Sequence, residues 1–117
     1  MAATDLLDFI TKSLDDDKAV DPVVVDLAGK TSIADWMVVA SGTSQRHISS
    51  MAEKLLQSLK DQGYKNVSGE GLGASDWVLI DAGDVIVHLF KPETRSFYDI
   101  EKLWSVEAPK RLAVAPG

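Results

Sequence analysis

Two runs of alternating apolar residues, joined by a short turn, constrain the fold of this chain more than any other feature. They span residues 76–90, and Ala82-Gly83 fits the two-residue turn of a β-hairpin. This turn places Trp77 opposite His88. Side chains alternate across a strand, so one face carries Val78, Ile80, Val85, Val87 and Leu89, and the other carries Trp77, Leu79, Ile86, His88 and Phe90.

The two faces of this hairpin differ in chemistry. The first is aliphatic, which is expected where a sheet packs on helices. The second contains tryptophan and histidine, whose rings combine an apolar body with a polar tip and suit protein interfaces. His88 fits either an ordinary sheet position or an interface position. The hairpin therefore requires a cover for its second face.

The size and composition of the chain exclude several classes of protein. Its 117 residues, 45% of them hydrophobic, predict one domain with a substantial core. The absence of cysteine excludes a disulfide framework, a thiolate zinc site and a cysteine nucleophile. No apolar run approaches the roughly 18 residues of a membrane helix, and the N-terminal residues lack the pattern of a signal peptide. We therefore expect a cytoplasmic protein with no membrane partner.

The charge of the chain bears on its partners. The formal net charge is -6, and the 12 lysines and arginines are scattered, with Lys110-Arg111 as the densest pair. Binding to nucleic acid draws much of its free energy from basic residues that neutralise phosphates and release counterions. We therefore expect little direct binding to nucleic acid, and the negative charge favours a basic protein partner.

Apolar residues at helical spacing predict two main helices. The first is expected over residues 4–16. The second covers about residues 44–62, where one face carries Ile48, Met51, Ala52, Leu55, Leu56 and Leu59. Gly63 suits the position just after its end. A shorter helical segment is expected from Thr94 or the neighbouring Glu93, and its large side chains are Phe97, Tyr98, Ile100, Leu103 and Trp104.

Three further segments have the composition of strands. Residues 23–27 and 36–41 are rich in β-branched side chains, and their near-continuous apolar character favours interior strands that are buried on both sides. Residues 64–70 are compatible with a short third strand. Because Phe97 and Tyr98 are adjacent, they point about 100° apart on a helix, so one ring can be buried while the other is presented, and the phenolic tip of Tyr98 suits exposure.

Several groups of polar residues permit a catalytic or ligand-binding interpretation, but each has a simpler structural one. Gly42-Thr43-Ser44 precedes a helix, where anions bind, yet no P-loop lysine follows and helix capping explains these residues. Ser44 and His47 lack a nucleophile elbow. Asp81 and Asp84 flank the hairpin turn and suit its chemistry. The sequence therefore predicts no catalytic residue, no metal site and no cofactor.

Six runs, distributed along most of the chain, form one pattern: Asp26-Leu27-Ala28-Gly29-Lys30-Thr31-Ser32, Asp35-Trp36-Met37-Val38-Val39-Ala40-Ser41-Gly42-Thr43-Ser44-Gln45-Arg46-His47, Gly69-Glu70-Gly71, Trp77-Val78-Leu79-Ile80-Asp81, Gly83-Asp84-Val85-Ile86-Val87-His88-Leu89-Phe90 and Arg95-Ser96-Phe97-Tyr98-Asp99-Ile100-Glu101-Lys102-Leu103-Trp104. Together they resemble the ribosomal silencing factor family, also called the Iojap-like family, over roughly residues 5–105. Trp36 stands where tyrosine is usual and Ile100 where leucine is usual.

This resemblance implies an α/β fold with a central mixed sheet of about five strands and helices mainly on one face. The fold would be related to that of the nucleotidyltransferases, without their active site. Residues 1–105 would form a single domain, and residues 106–117 a flexible tail. The family binds the large ribosomal subunit through ribosomal protein fourteen of that subunit. It thereby blocks joining of the small subunit and lowers translation when nutrients are scarce.

Strand alternation within this region predicts the following partner-binding residues: Trp77, Leu79, His88 and Phe90 on the open sheet face, with Lys91, Arg95 and Tyr98 at its edge. One alternative is a nucleotidyltransferase-like enzyme that binds nucleotide or metal, but its paired carboxylates on one strand are missing after Gly42-Thr43-Ser44. Binding to naked ribosomal RNA is a second alternative, which the net charge opposes. The free protein is either a monomer or a homodimer that pairs its apolar faces.

Overall fold

The fold is built on a five-stranded mixed sheet. The computed structural model describes residues 3–73 and 75–100. In chain order its elements are α1 (Ala3–Asp16), β1 (Val20–Asp26), β2 (Trp36–Ser41), α2 (Gln45–Asp61), β3 (Ser68–Glu70), β4 (Trp77–Asp81), β5 (Val85–Phe90) and α3 (Pro92–Tyr98). The strand order is β1-β2-β5-β4-β3, with β2 parallel to β5 and the other neighbours antiparallel. The predicted fold class is confirmed.

Helices α1 and α2 pack on one side of the sheet, which we call the helix face. Its buried sheet residues are Val38, Ala40, Val78, Ile80, Val85, Val87 and Leu89. The six apolar residues predicted for one side of α2 are all buried against them. Ser44 begins the helix as its N-cap, with its Oγ accepting a hydrogen bond from the His47 amide at 3.1 Å. Helical periodicity therefore identified this layer correctly.

The hairpin turn lies one residue later than predicted. Ala82 donates to the carbonyl of Val85 at 3.0 Å, so the two turn residues are Gly83 and Asp84, and Trp77 pairs with Phe90. Gly83 has a φ of +85°, which suits the first position of such a turn. The Asp81 carboxylate accepts from the Gly83 amide at 2.9 Å. Because the pairing changes by two positions, every side chain keeps its predicted face.

The prediction that both early strands are interior was wrong for β1. β2 lies between β1 and β5, but β1 forms an edge of the sheet. Its Val23 and Val24 are 37% and 43% exposed, because they have strand neighbours on one side only. An irregularity between Val20 and Val23, with Pro22 inside it, interrupts the ladder there. Bulges and prolines of this kind protect sheet edges from pairing with other chains.

Two smaller boundaries also differ from the prediction. β3 is shorter than expected because the chain leaves α2 through a tight turn in which the Tyr64 amide donates to the Leu59 carbonyl at 3.0 Å. α3 starts at Pro92, a residue that suits the first turn of a helix. It ends at Tyr98 and is followed by the C-cap residue Asp99, whose φ is +49°. Leu103, Trp104 and the predicted tail over residues 106–117 lie outside the described residues.

Replacing Gly71 by alanine is expected to destabilise the fold by about 2–4 kcal/mol. Gly71 has a φ of +81°, and a Cβ there would lie 2.5 Å from the carbonyl oxygen of Trp77. Gly73 has a φ of +103° with open space around it, so Gly73→Ala should cost only the backbone strain, about 1–2 kcal/mol. Urea denaturation of both variants measures the difference in their free energies of unfolding. Equal losses of stability would contradict the close approach of this loop to β4.

Candidate functional site

The second side of the sheet, which we call the open face, is covered only in part. Strand pairing aligns Val39, His88 and Leu79 in one row across β2, β5 and β4. His88 and Leu79 remain partly accessible, as does Ile86 in the next row. Leu27, from the loop between β1 and β2, packs over one end of this face. Aromatic residues occupy the opposite end.

Five rings form this aromatic cluster: Trp77, His88, Phe90, Phe97 and Tyr98. The Trp77 ring is at its centre, with its centroid 4.9 Å from that of Phe90 and 4.9 Å from that of Tyr98. Phe97 meets Tyr98 edge to face at 5.1 Å. Offset and edge-to-face arrangements at these distances are favourable contacts between aromatic rings. The cluster therefore joins the hairpin to α3.

A hydrogen bond fixes the chemical state of His88. The Trp77 indole Nε1–H donates to Nδ1 of His88 at 3.0 Å. An acceptor nitrogen carries no proton, so this bond requires the neutral ring. Burial also disfavours the charged form and lowers the pKa of His88 from 6.5 to about 4. The open face thus presents a neutral imidazole at neutral pH, held in one orientation by Trp77.

Mild acid is expected to destabilise the fold through His88. Unfolded histidine has a pKa of 6.5 and the folded residue about 4, so between these values the unfolded chain binds more protons. Stability is full above about pH 6.5 and falls as the pH decreases towards 4, by about 1–3 kcal/mol for this partly accessible residue. Urea denaturation of the wild type and of His88→Gln at several pH values measures this loss of stability. If the free energy of unfolding depends on pH in the same way in both proteins, His88 is not its cause.

The predicted site residues divide into exposed and supporting positions. Tyr98 is 51% exposed, whereas Phe90 is completely buried and supports Trp77 from beneath. Phe97 was not among the predicted residues, yet it is the most exposed ring of the aromatic cluster at 80%. Both rings are exposed, Tyr98 as its phenolic tip suggested, because α3 has no buried residue.

The two predicted basic residues hold α3 in place. The Arg95 Nη1 donates to Oγ of Ser41 at 3.0 Å and lies 3.4 Å from the carbonyl oxygen of Val20. Lys91 is the N-cap residue of α3, and its amide donates to the Asp76 carbonyl at 2.9 Å. These contacts connect α3 to β1, to β2 and to the residue that precedes β4. Through α3 they position the exposed rings of the aromatic cluster.

The polar groups that permitted a catalytic interpretation are engaged in structural contacts. His47 accepts from the Thr43 amide at 3.0 Å, and its other ring nitrogen lies 2.9 Å from the Asp17 carbonyl oxygen. Ser44 is a helix cap and Asp81 is a turn residue. Within residues 3–73 and 75–100, no three histidine or acidic side chains are grouped closely enough to hold a metal ion. No described helix is long and apolar enough to cross a membrane.

Comparison with known proteins gives a consistent result. Residues 1–115 match the family described as ribosomal silencing factor during starvation. The ribosomal silencing factor of Zymomonas mobilis is 55% identical over 100 residues, which cover 85% of this chain and 74% of that protein. The corresponding protein of Haemophilus influenzae is 39% identical, over 86% of this chain and 98% of the relative.

A mouse protein named for mitochondrial assembly of the ribosomal large subunit is 34% identical over 105 residues, which cover 87% of this chain and 46% of that protein. Among solved structures, a crystal structure of a protein from Chromobacterium violaceum superimposes with a TM-score of 0.85 at 38% identity. The superposition covers 89% of this chain and 87% of the other. Sequence and fold therefore agree on the same group of proteins.

Proposed function

Because the chain belongs to the ribosomal silencing factor family, we propose that it represses translation by binding the large ribosomal subunit through ribosomal protein fourteen of that subunit. Binding there occupies the face that meets the small subunit and sterically prevents the two subunits from joining. Repression would operate in the cytoplasm when nutrients are limiting. The observation that carries this proposal is the exposed part of the aromatic cluster, next to an open sheet face.

The aromatic cluster has the properties of a binding hot spot. Phe97 and Tyr98 are 80% and 51% exposed, and Trp77 behind them is fixed by ring contacts and a hydrogen bond. Tryptophan and tyrosine dominate the binding free energy of many protein interfaces. Rings that are already held in place lose little conformational freedom on binding. A partner therefore meets a preformed apolar surface.

The charge of the chain supports a protein partner on the ribosome over direct contact with ribosomal RNA. The formal net charge is -6, which repels phosphates but attracts a basic protein and accelerates its encounter. Steric exclusion also requires no catalytic group. This mechanism agrees with the structural contacts of Ser44, His47 and Asp81, and with relatives that are named as silencing factors.

Co-sedimentation with purified ribosomal subunits tests the proposal. We expect the protein to pellet with large subunits and not with small subunits, and to remain bound when the salt concentration is raised moderately, because apolar contacts are only weakly screened. Cross-linking from position 97 should identify ribosomal protein fourteen as the neighbour. Equal binding to both subunits, or cross-links to RNA alone, would contradict the proposal.

A further inference from the structure

A cavity of about 420 Å³ opens beside the aromatic cluster, between the start of β4 and α3. Three aromatic residues, Trp77, Phe97 and Tyr98, line it. Two acidic residues, Asp76 and Glu93, also line it. Aromatic faces attract cations through their negative quadrupole, and carboxylates attract them by charge. Both kinds of group therefore favour a positively charged occupant.

The charged groups around the cavity keep its preference for a positively charged occupant. The described residues that line it include no lysine, arginine or histidine. Arg95, on the same helix, points instead to Ser41 and Val20. The Asp76 carboxylate is oriented by the side-chain amide of Gln45, with Oδ1 accepting at 2.6 Å. Glu93 lies in the first turn of α3, where its charge offsets the positive end of the helix dipole.

We propose that this cavity receives the guanidinium group of one arginine side chain from the basic protein to which the chain binds. The identity of that protein rests on the proposed function, but the chemistry of the cavity does not. A guanidinium is planar, so it can stack on the exposed ring of Tyr98 beside Trp77 while its edge donates hydrogen bonds to the carboxylates. A lysine ammonium is more strongly hydrated and offers no flat face. The cavity therefore selects arginine over lysine.

The other kinds of occupant fit less well. An apolar side chain would bury the carboxylates of Asp76 and Glu93 without an opposite charge to offset them, and burying such a charge is costly. An acidic or phosphorylated group would be repelled by the same two carboxylates. Because the protein carries a net charge of -6, its long-range field also attracts a basic partner to the protein.

Titration of the full chain with N-acetyl-arginine amide tests the cavity without any ribosomal component. The Trp77 indole N–H signal in nuclear magnetic resonance spectra should shift in a saturable manner, while the neutral isostere N-acetyl-citrulline amide should bind at least about fivefold more weakly. Asp76→Asn and Glu93→Gln, which preserve side-chain size and remove charge, should each weaken the response. Equal shifts with both compounds, or no shift at Trp77, would overturn the proposal.

Binding to large subunits supplies the second readout. The double variant Asp76→Asn/Glu93→Gln should bind about five- to tenfold more weakly, while Glu53→Gln, which removes a charge from the exposed side of α2, should bind normally. If the wild type does not bind large subunits, the proposed function fails and the arginine titration still decides the cavity. If the wild type and the double variant bind equally, the arginine proposal is wrong while the proposed function stands.

Discussion

Replacing Trp77 by alanine is expected to weaken binding to the large ribosomal subunit by about 2 kcal/mol or more, roughly thirtyfold in Kd. The Trp77 ring supports Tyr98 at a centroid distance of 4.9 Å and donates the hydrogen bond that orients His88. Its removal takes away the contact surface and the support of the neighbouring rings together. Quantitative co-sedimentation with purified large subunits measures the change in Kd.

The variant Tyr98→Ala separates the loss of a contact with the partner from the loss of packing within the protein. Tyr98 is 51% exposed, so Tyr98→Ala should leave the fold nearly as stable and still weaken binding. Val24→Ala is the matched control, because Val24 is similarly exposed at 43% but lies on β1, across two strands from β4. If folded Trp77→Ala and Tyr98→Ala variants bind like the wild type, the aromatic cluster is not the binding surface.

Replacing Phe90 by alanine is expected to lower the free energy of unfolding by about 3–5 kcal/mol. Phe90 is completely buried and lies in a core cluster with Met37 and Val39. Its ring stacks under Trp77 at 4.9 Å, and alanine would leave a cavity between the sheet and the aromatic cluster. Since small domains are typically stable by about 5–15 kcal/mol, this is a large fraction of the total.

Urea denaturation measures this effect, and Phe90→Leu is the control, because it retains much of the buried volume. A loss below about 1 kcal/mol for Phe90→Ala would show that the ring is not tightly packed. If Phe90→Ala binds more weakly, the loss of binding should be no greater than the loss of folded protein. A binding defect much greater than the loss of folded protein would instead indicate that Phe90 reaches the partner directly.

The sequence predicts which face each hairpin residue occupies, but not the pairing register. Faces follow from strict alternation, and a change in register by two positions leaves alternation unaltered. The position of the turn depended on whether Ala82-Gly83 or Gly83-Asp84 forms it. The positive φ of Gly83 at the first turn position and the hydrogen bond to Asp81 select the second. Local hydrogen-bond chemistry therefore decided what hydrophobic patterning left open.

The remaining errors have a common physical origin in tertiary contacts. β1 has the composition of an interior strand, but its place at an edge depends on which strands find partners, and that is a property of the whole sheet. Phe90 and Trp77 lie on the same face but differ in burial, because Phe90 packs in a core cluster with Met37 and lies beneath the Trp77 ring. The exposure of Phe97 follows from the single short helix α3. The aromatic composition of α3 was the sequence feature that could have identified Phe97 as a site residue.

Subunit joining tests the central claim most directly. Purified large subunits are saturated with the protein, small subunits are added, and the fraction of joined ribosomes is measured by light scattering or by sucrose-gradient sedimentation. Joining should decrease in proportion to the large subunits that are occupied, and Tyr98→Ala at the same concentration should largely restore it. Normal joining by large subunits that demonstrably carry the wild-type protein would contradict repression by steric exclusion.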